Sequence, residues 1–181
     1  RVFRRALEVD RLGANPNAAL ALFHYCRRAY DAADAQLKVT EKIHPDFGPL
    51  WLEVARLHDV RGDHSDAVAA LERARELMGD ESEILAGLVY NLARAGEHAR
   101  AVQLRAELAS RTVYISPYHH AVAALGFEDL DGAARHLAGS WRDRSLWLPW
   151  LRFDHRLAPL HTRGDVIGLL GRLNLPRPKS P

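Results

Sequence analysis

The stretch Trp51–Ala74, WLEVARLHDVRGDHSDAVAALERA, decides the fold of this chain. Its apolar and small residues recur every three or four positions, which is the spacing of one helix face. Two such faces occur, with Trp51, Val54, Ala55 and His58 in the first and Ala67, Leu71 and Ala74 in the second. Between them, Gly62 suits the left-handed position that ends a helix, and Asp63 or Ser65 can cap the next one. The stretch therefore predicts two antiparallel helices joined by a short turn.

The same pattern returns at a fixed interval along the chain. Gly62 corresponds to Gly96 one interval later, and Ala67 corresponds to Ala33 one interval earlier. The period holds from residue 3 to about residue 108 and then slips. Because fixed periods of this length are typical of repeat proteins, the sequence predicts a series of helical hairpins.

The hairpin pattern resembles the tetratricopeptide repeat, in which Trp-x2-Leu-Gly-x2-Tyr is followed by small and apolar positions. Asn17–Pro45 and Leu85–Leu108 resemble further copies, and the latter departs from the pattern at Arg105, where an apolar residue is expected. A weaker fourth copy opens at Pro117 and Tyr118, and its spacing from the third is shorter than the interval between the earlier copies. The resemblance implies an all-α fold, a right-handed superhelical stack of antiparallel helix hairpins.

The predicted organisation is one continuous domain that begins inside a repeat, so we expect further repeats or another domain before residue 1. Its segments are the second helix of a truncated repeat (1–13), three repeats (14–47, 48–81 and 82–113), a weaker repeat (114–140), a Trp-rich C-terminal cap (141–176) and a frayed tail (177–181).

The cap resembles the segment that closes tetratricopeptide arrays in many bacterial signalling proteins. The resemblance rests on Ser145–Leu148, Phe153–Leu160 and Leu173–Pro176. In those proteins the array commonly follows a kinase, a nucleotide cyclase or a winged-helix DNA-binding domain. The resemblance implies that the chain belongs to a larger bacterial regulatory protein. Its tryptophans are expected in the core of the cap, although an exposed part can dock a neighbouring domain.

Composition excludes several other classes of function. The net charge is only +2, which gives no reason to expect nucleic acid or an acidic membrane as a partner. No apolar run reaches the roughly 18 residues that a membrane-spanning helix needs. Cys26 is the single cysteine, so no disulfide forms within the chain, and a reducing, cytoplasmic location is expected.

Ten histidines raise the question of a metal site. No HExxH or CxxC motif is present, and we expect no metal and no other cofactor. His24 and His58 take the packing position where tetratricopeptide repeats usually have Tyr. His119 and His120 are adjacent on a helix, where their side chains point about 100° apart and cannot easily share an ion.

The sequence also lacks the motifs of nucleophilic catalysis, and we expect no enzyme activity. Cys26 is followed by Arg27 and Arg28, which can lower the pKa of its thiol, but an ordinary thiol is the favoured interpretation. Asp129 and Asp131 are interpreted as helix caps. The enzyme hypothesis requires that His, Asp and Ser side chains converge in a cleft.

In tetratricopeptide proteins the first helix of each hairpin lines a concave groove, and its outward-turned positions meet the ligand. The resemblance thus implies a protein-interaction scaffold that binds a peptide or protein segment. The implied partner-binding residues are Tyr25, Glu53, Arg56, Asp59, Glu83, Tyr90, Arg94, Tyr118 and His119.

Two alternatives to a simple scaffold stay open. The first is a regulatory sensor domain that binds a small ligand or short peptide and controls an attached output domain. The second is homo-oligomerisation through the apolar N-terminal end of the array. Acidic C-terminal peptides are not expected as ligands, because the Lys and Asn residues that hold them in related domains are replaced by Ala18, Leu22, Glu83 and Gly87.

Overall fold

The computed structural model describes Asp10 and residues 13–174, and all regular secondary structure in those ranges is helical. The predicted all-α class is confirmed. The α-helices are α1 (Ala14–Cys26), α2 (Tyr30–Ile43), α3 (Gly48–Arg61), α4 (His64–Met78), α5 (Ser82–Arg94), α6 (His98–Ser110), α7 (Pro117–Gly126), α8 (Leu130–Arg142) and α9 (Gly164–Leu173). Two 3-10 segments, Leu148–Arg152 and His155–Leu160, lie between α8 and α9. The expectations for residues 1–9 and 177–181 concern positions outside the described residues.

Consecutive helices pack as pairs, α1 with α2, α3 with α4, α5 with α6 and α7 with α8. The first helices of the first three pairs begin at residues 14, 48 and 82, and the second helices begin at residues 30, 64 and 98. Both series therefore advance by one constant interval, the same one that separates Gly62 from Gly96. The second helix of the fourth pair begins at residue 130, earlier than this interval predicts, so the period shortens where the sequence pattern slips.

A small buried residue recurs at one position of every hairpin. Ala33, Ala67, Ala101 and Ala133 are each the fourth residue of a second helix, and none is more than 1% exposed. Each of their backbone N–H groups donates to the carbonyl four residues earlier, over 2.9 to 3.0 Å. A larger side chain at this point would have to displace neighbouring atoms in a closely packed interior.

The turns between paired helices share a left-handed residue. Arg28, Gly62, Gly96 and Glu128 have φ values of 59°, 82°, 86° and 59°. Gly62 was predicted to take this conformation and does so. Of the two candidates for the cap, Asp63 and Ser65, Asp63 takes the N-cap position of α4, but its side chain makes no capping hydrogen bond. Its carboxylate lies instead 3.9 Å from Nδ1 of His58.

The chain divides between Gly79 and Asp80 into two compact units. Unit 1 contains α1 to α4, and its core is formed by Ala21, Tyr25, Ala33, Leu37, Leu50 and Leu57. The half-buried rings of Phe47 and Trp51 pack against this core. The indole N–H of Trp51 donates to the Pro45 carbonyl over 2.8 Å, which ties the start of α3 to the preceding turn.

Unit 2 contains α5 to α9 and the two 3-10 segments. Its core includes side chains from every part of the unit, among them Ile84, Leu88, Leu108, Val122, Leu137, Leu151, Leu157 and Leu160, all 2% exposed or less. Each fully buried side chain of this kind stabilises the fold by about 2 kcal/mol. Arg105, which breaks the repeat pattern, is half-buried with its guanidinium 5.1 Å from the centre of the Phe127 ring.

The predicted Trp-rich cap contains Pro149 and Pro159, and both lie in 3-10 helices. Trp147 and Trp150 are half-buried, whereas Trp141 at the end of α8 is 36% exposed. The expectation of tryptophans in a core is therefore met only in part. Within the described ranges, no helix has both the length and the apolar character that crossing a bilayer requires.

Replacing Ala67 by Leu should lower the free energy of unfolding by about 2 kcal/mol or more, because three added carbon atoms have no space at a site that is 0% exposed. Ala69→Leu is the matched control, since Ala69 is exposed on the same helix. Urea denaturation of both variants measures the difference. Equal stability of the two variants would contradict the close packing of the hairpin at Ala67.

Candidate functional site

Helix α5 is buried on nearly all sides, and only one narrow strip of it reaches the surface. Its accessible side chains beyond the N-terminal Ser82 are Glu83 and Tyr90, both half-buried, and Arg94, which is exposed. They are seven and four residues apart, a spacing that places them on one face of the helix. We call Glu83, Tyr90 and Arg94 the α5 stripe. All three are among the residues that the sequence singled out for partner binding.

The position of Tyr90 is determined by a close approach between α5 and α7. A Cβ atom at Gly126 would lie 2.7 Å from the Cα of Tyr90 and 3.0 Å from its carbonyl oxygen, so only glycine allows the helices to come this near. On the same helix, the side-chain amide of Asn91 donates to the Gly87 carbonyl over 3.1 Å. The close approach at Gly126 therefore brings α7 directly against the part of the α5 backbone that carries the stripe.

Two arginines border the aromatic centre of the stripe. The guanidinium of Arg156 lies 5.7 Å from the centre of the Tyr90 ring, within the range of a cation–π contact. Arg94 donates from Nη1 to Oε1 of Glu128 over 2.6 Å, in an ion pair whose side chains are 39% and 77% exposed. Exposed pairs of this kind contribute little to stability and exchange readily with other partners.

Arg156 is itself fixed by a buried carboxylate. Its Nε and Nη2 donate to the two oxygens of Asp154 over 2.9 and 2.6 Å, and the Tyr118 hydroxyl donates to the same carboxylate over 2.7 Å. Burial alone would raise the pKa of Asp154, but the charge of Arg156 and these hydrogen bonds outweigh it and hold the pKa well below its usual value. This network connects α7, the second 3-10 segment and the Tyr90 ring.

The expected exposure of Tyr118 and His119 was wrong, since they are only 3% and 2% exposed. The reason is that α7 packs against α5, α8 and the second 3-10 segment at once, so its interior positions are enclosed. Tyr118 holds Asp154, while Nδ1 of His119 lies 2.9 Å from the Ser82 hydroxyl and the His119 ring packs on Trp147 at 4.7 Å.

Tyr25 and Asp59 in unit 1 are also buried, each 4% exposed, so their expected exposure was wrong as well. Tyr25 belongs to the core where α1 meets α3, and its ring lies 5.9 Å from that of Tyr30. The carboxylate of Asp59 faces the start of α4, with Oδ1 3.7 Å from Nδ1 of His64. Both residues therefore hold the hairpins of unit 1 together.

Glu53 and Arg56 form a pair that is nearly enclosed. Their atoms Oε2 and Nε are 3.3 Å apart, and the side chains are only 12% and 13% exposed. Cys26 lies close enough to be influenced by both charges. Burial and the negative charge of Glu53 raise the pKa of its thiol, the positive charge of Arg56 partly compensates, and the resulting pKa is about 11. The notion that Arg27 and Arg28 lower this pKa was wrong, because burial dominates.

Among the described residues, one group of side chains has the types and spacing that could hold a metal ion. Ligand atoms of His58, Asp63 and Asp66 lie within 4.8 Å of one another at the α3–α4 turn. The two carboxylates are exposed, and such groups commonly occur without a bound ion, so the cluster carries no metal assignment. His120 stacks on His136, with their ring centres 5.4 Å apart.

Sequence reasoning missed Arg156 and Glu128 as neighbours of the stripe. The Asp-x-Arg spacing of Asp154 and Arg156 was a usable signal, since a carboxylate two residues before an Arg can hold its guanidinium. Glu128 gave no such signal, because it is distant from Arg94 in sequence and meets it only in the folded chain.

Comparison with known proteins adds no assignment of family or function: no protein-family model matches the chain, and no curated protein matches it either.

The depressed pKa of Asp154 makes stability depend on pH. Because the folded pKa lies below the unfolded value of about 4, the carboxylate stabilises the fold above that pH, and the contribution is lost as the pH falls below it. Asp154→Asn should cost about 3 kcal/mol at neutral pH, since Arg156 loses its buried counter-charge. The difference between wild type and variant, measured by urea denaturation, should shrink towards pH 2. A difference that stays constant with pH would contradict the ion pair.

The raised pKa of Cys26 predicts slow alkylation. With a pKa of about 11, the thiolate fraction is very small at neutral pH, and the rate of reaction with iodoacetamide should rise steadily through pH 10. Glu53→Gln should accelerate the reaction at pH 8, because it removes the negative charge that opposes ionisation. Glu72→Gln on α4 serves as a control for overall charge. If Glu53→Gln left the alkylation rate unchanged, the charge of Glu53 would not influence the pKa of Cys26, which would contradict this interpretation.

Proposed function

We propose that the chain is a peptide-binding module of the tetratricopeptide kind, and that unit 2 binds its partner on the α5 stripe. The observation that carries this proposal is that, beyond the N-terminal Ser82, the accessible side chains of α5 are Glu83, Tyr90 and Arg94, which lie along one face. Positions that serve packing alone are most often apolar. A carboxylate, a phenol and a guanidinium in line are instead suited to contact another molecule.

The composition of the stripe favours a protein ligand. Tyr and Arg dominate the binding energy of many protein interfaces, because each combines a large contact area with a polar end. Tyr90 is held in advance by the Gly126 contact and by Arg156, so little conformational entropy is lost when a partner binds. Arg94 can exchange the exposed Glu128 carboxylate for one on the ligand, at little cost.

The order of charges predicts the chemistry and direction of the ligand. Eleven residue steps along a helix span about 16 Å, which an extended segment of about five residues covers. The segment should place a basic side chain at Glu83, an apolar or aromatic side chain on Tyr90 and an acidic side chain at Arg94. Such a segment can lie on unit 2 alone.

We propose a non-catalytic role for this unit. Ser82 and His119 do form a hydrogen-bonded pair, but His119 is only 2% exposed, so a substrate could not approach its ring. The pair serves instead to tie the first turn of α5 to α7. The resemblance of the cap to bacterial signalling proteins supports the further proposal that this module serves a larger cytoplasmic regulatory protein.

The proposal is tested by selecting binding peptides on the full chain from a displayed library of random 12-residue peptides. The double variant Tyr90→Ala, Arg94→Ala should lower the affinity for the selected peptides by about 30-fold or more, which corresponds to the loss of one interface hot spot. Fluorescence anisotropy gives the dissociation constants, and circular dichroism should show unchanged helicity.

A matched double variant, Tyr114→Ala with Arg100→Ala, removes the same residue types from another part of unit 2. Tyr114 is 69% exposed and the Arg100 side chain 54% exposed, so the control alters the surface without touching the stripe. Peptide affinity should stay within about two-fold of wild type in this control. Equal losses of peptide affinity in both double variants would refute the proposal. It would also be refuted if the selected peptides bound the variant Tyr90→Ala, Arg94→Ala as tightly as wild type.

A further inference from the structure

A cavity of about 550 Å³ lies at the C-terminal end of unit 2, where three elements meet. Trp141 and Arg142 line it from the end of α8, Leu148 and Pro149 from the first 3-10 segment, and Leu173 from the end of α9. Its volume is within the range of pockets that hold small organic molecules. We call it the cap pocket.

The charge of the cap pocket has one sign. Among the described residues that line it, the charged ones are Arg142 and Arg144, and no carboxylate is present. Both arginines are exposed, and neither forms an ion pair with another described residue. Asp143, which lies between them in sequence, is turned to the Tyr114 hydroxyl at 3.3 Å. A ligand with a negative group would thus meet two guanidinium groups that no carboxylate of the described residues pairs with.

Two helices end at the cap pocket, and their C-terminal dipoles oppose an anion. Each contributes about half a negative charge, which falls off within the last turn, whereas the two arginines carry full charges. The net potential is therefore positive. Because the dipoles reduce it, charge alone would bind an anion weakly, and an apolar body in the cavity has to supply part of the affinity.

The apolar wall of the cap pocket can supply this part of the affinity. The Trp141 side chain is 36% exposed and is held in place by Arg172, whose guanidinium lies 5.5 Å from the centre of the indole ring. Leu148 and Leu173 provide aliphatic surface beside it. Burying an apolar body of ligand size against such a wall is favourable by about 25 cal/mol for each Å² removed from water.

We propose that the cap pocket binds a small organic acid with an apolar body, such as an aromatic or fatty carboxylate or sulfonate. The acid group lies against Arg142 and Arg144, and the body lies on Trp141 and Leu173. This site is separate from the α5 stripe and is independent of the peptide-binding proposal. The residues that follow Asn174 are a poor alternative occupant, since their sequence brings the like charges of Arg177 and Lys179.

The test uses a matched pair of fluorescent probes on the full chain. Anilinonaphthalene sulfonate carries the negative group, and N-phenylnaphthylamine presents nearly the same aromatic body without charge. The variant Arg142→Gln, Arg144→Gln should weaken the sulfonate by about ten-fold or more, the loss expected for a charged contact, and leave the neutral probe unchanged. Trp141→Ala should weaken both probes. Equal sulfonate affinity in wild type and the Arg double variant would overturn the proposal.

Further experiments distinguish a small acid from other possible occupants of the cap pocket. Decanoate should displace the sulfonate probe at concentrations where decanol does not, and equal displacement would overturn the acid's role. Ten-fold tighter probe binding after removal of residues 175–181 would make that segment the occupant and overturn the proposal.

Two control variants complete the test. The variant Arg142→Lys, Arg144→Lys should retain probe binding, and thermal melting should confirm that each variant folds. Tyr90→Ala, Arg94→Ala should leave probe binding unchanged, which distinguishes this site from the stripe.

Discussion

One alanine in each hairpin sets the distance at which the paired helices can pack. Ala33, Ala67, Ala101 and Ala133 occupy the same position of successive second helices and are almost completely buried. A larger side chain at these positions would have to displace its neighbours, because protein interiors leave few gaps of even one carbon atom. The repetition of one such contact explains why the chain folds as a series of similar pairs.

The same principle operates at the proposed peptide site, with glycine in place of alanine. Gly126 brings the backbone of α7 against that of Tyr90, and no side chain could take its place without moving one of the helices. Tyr90 is then bordered by Arg156, which is held by the buried carboxylate of Asp154. A buried ion pair of this kind adds little net stability compared with apolar packing, but it fixes one arrangement of its partners. In unit 2 that arrangement keeps an aromatic surface in place beside two cationic side chains.

The two candidate sites of unit 2 differ in what they offer a ligand. The α5 stripe is narrow and carries both signs of charge, which suits an extended peptide. The cap pocket is concave, apolar and positive, which suits a compact acid. A protein that binds both a protein segment and a small acid would use two such surfaces. In unit 1, by contrast, the residues expected at a groove are largely occupied in packing, as Tyr25 and Asp59 show.

The sequence by itself determined the helical hairpins and their spacing, because helix periodicity, small residues and a left-handed glycine are local signals that survive without tertiary context. It also pointed to Glu83, Tyr90 and Arg94, whose positions on one helix face follow from their spacing. Only the tertiary structure decided which predicted contact residues stay accessible. Tyr118 and His119 occupy positions of the kind that face outward in a simple hairpin, yet they are enclosed because α7 packs against α5, α8 and the second 3-10 segment at once. The cap pocket likewise has no signature in the sequence, since its walls come from three elements that meet only in the folded chain.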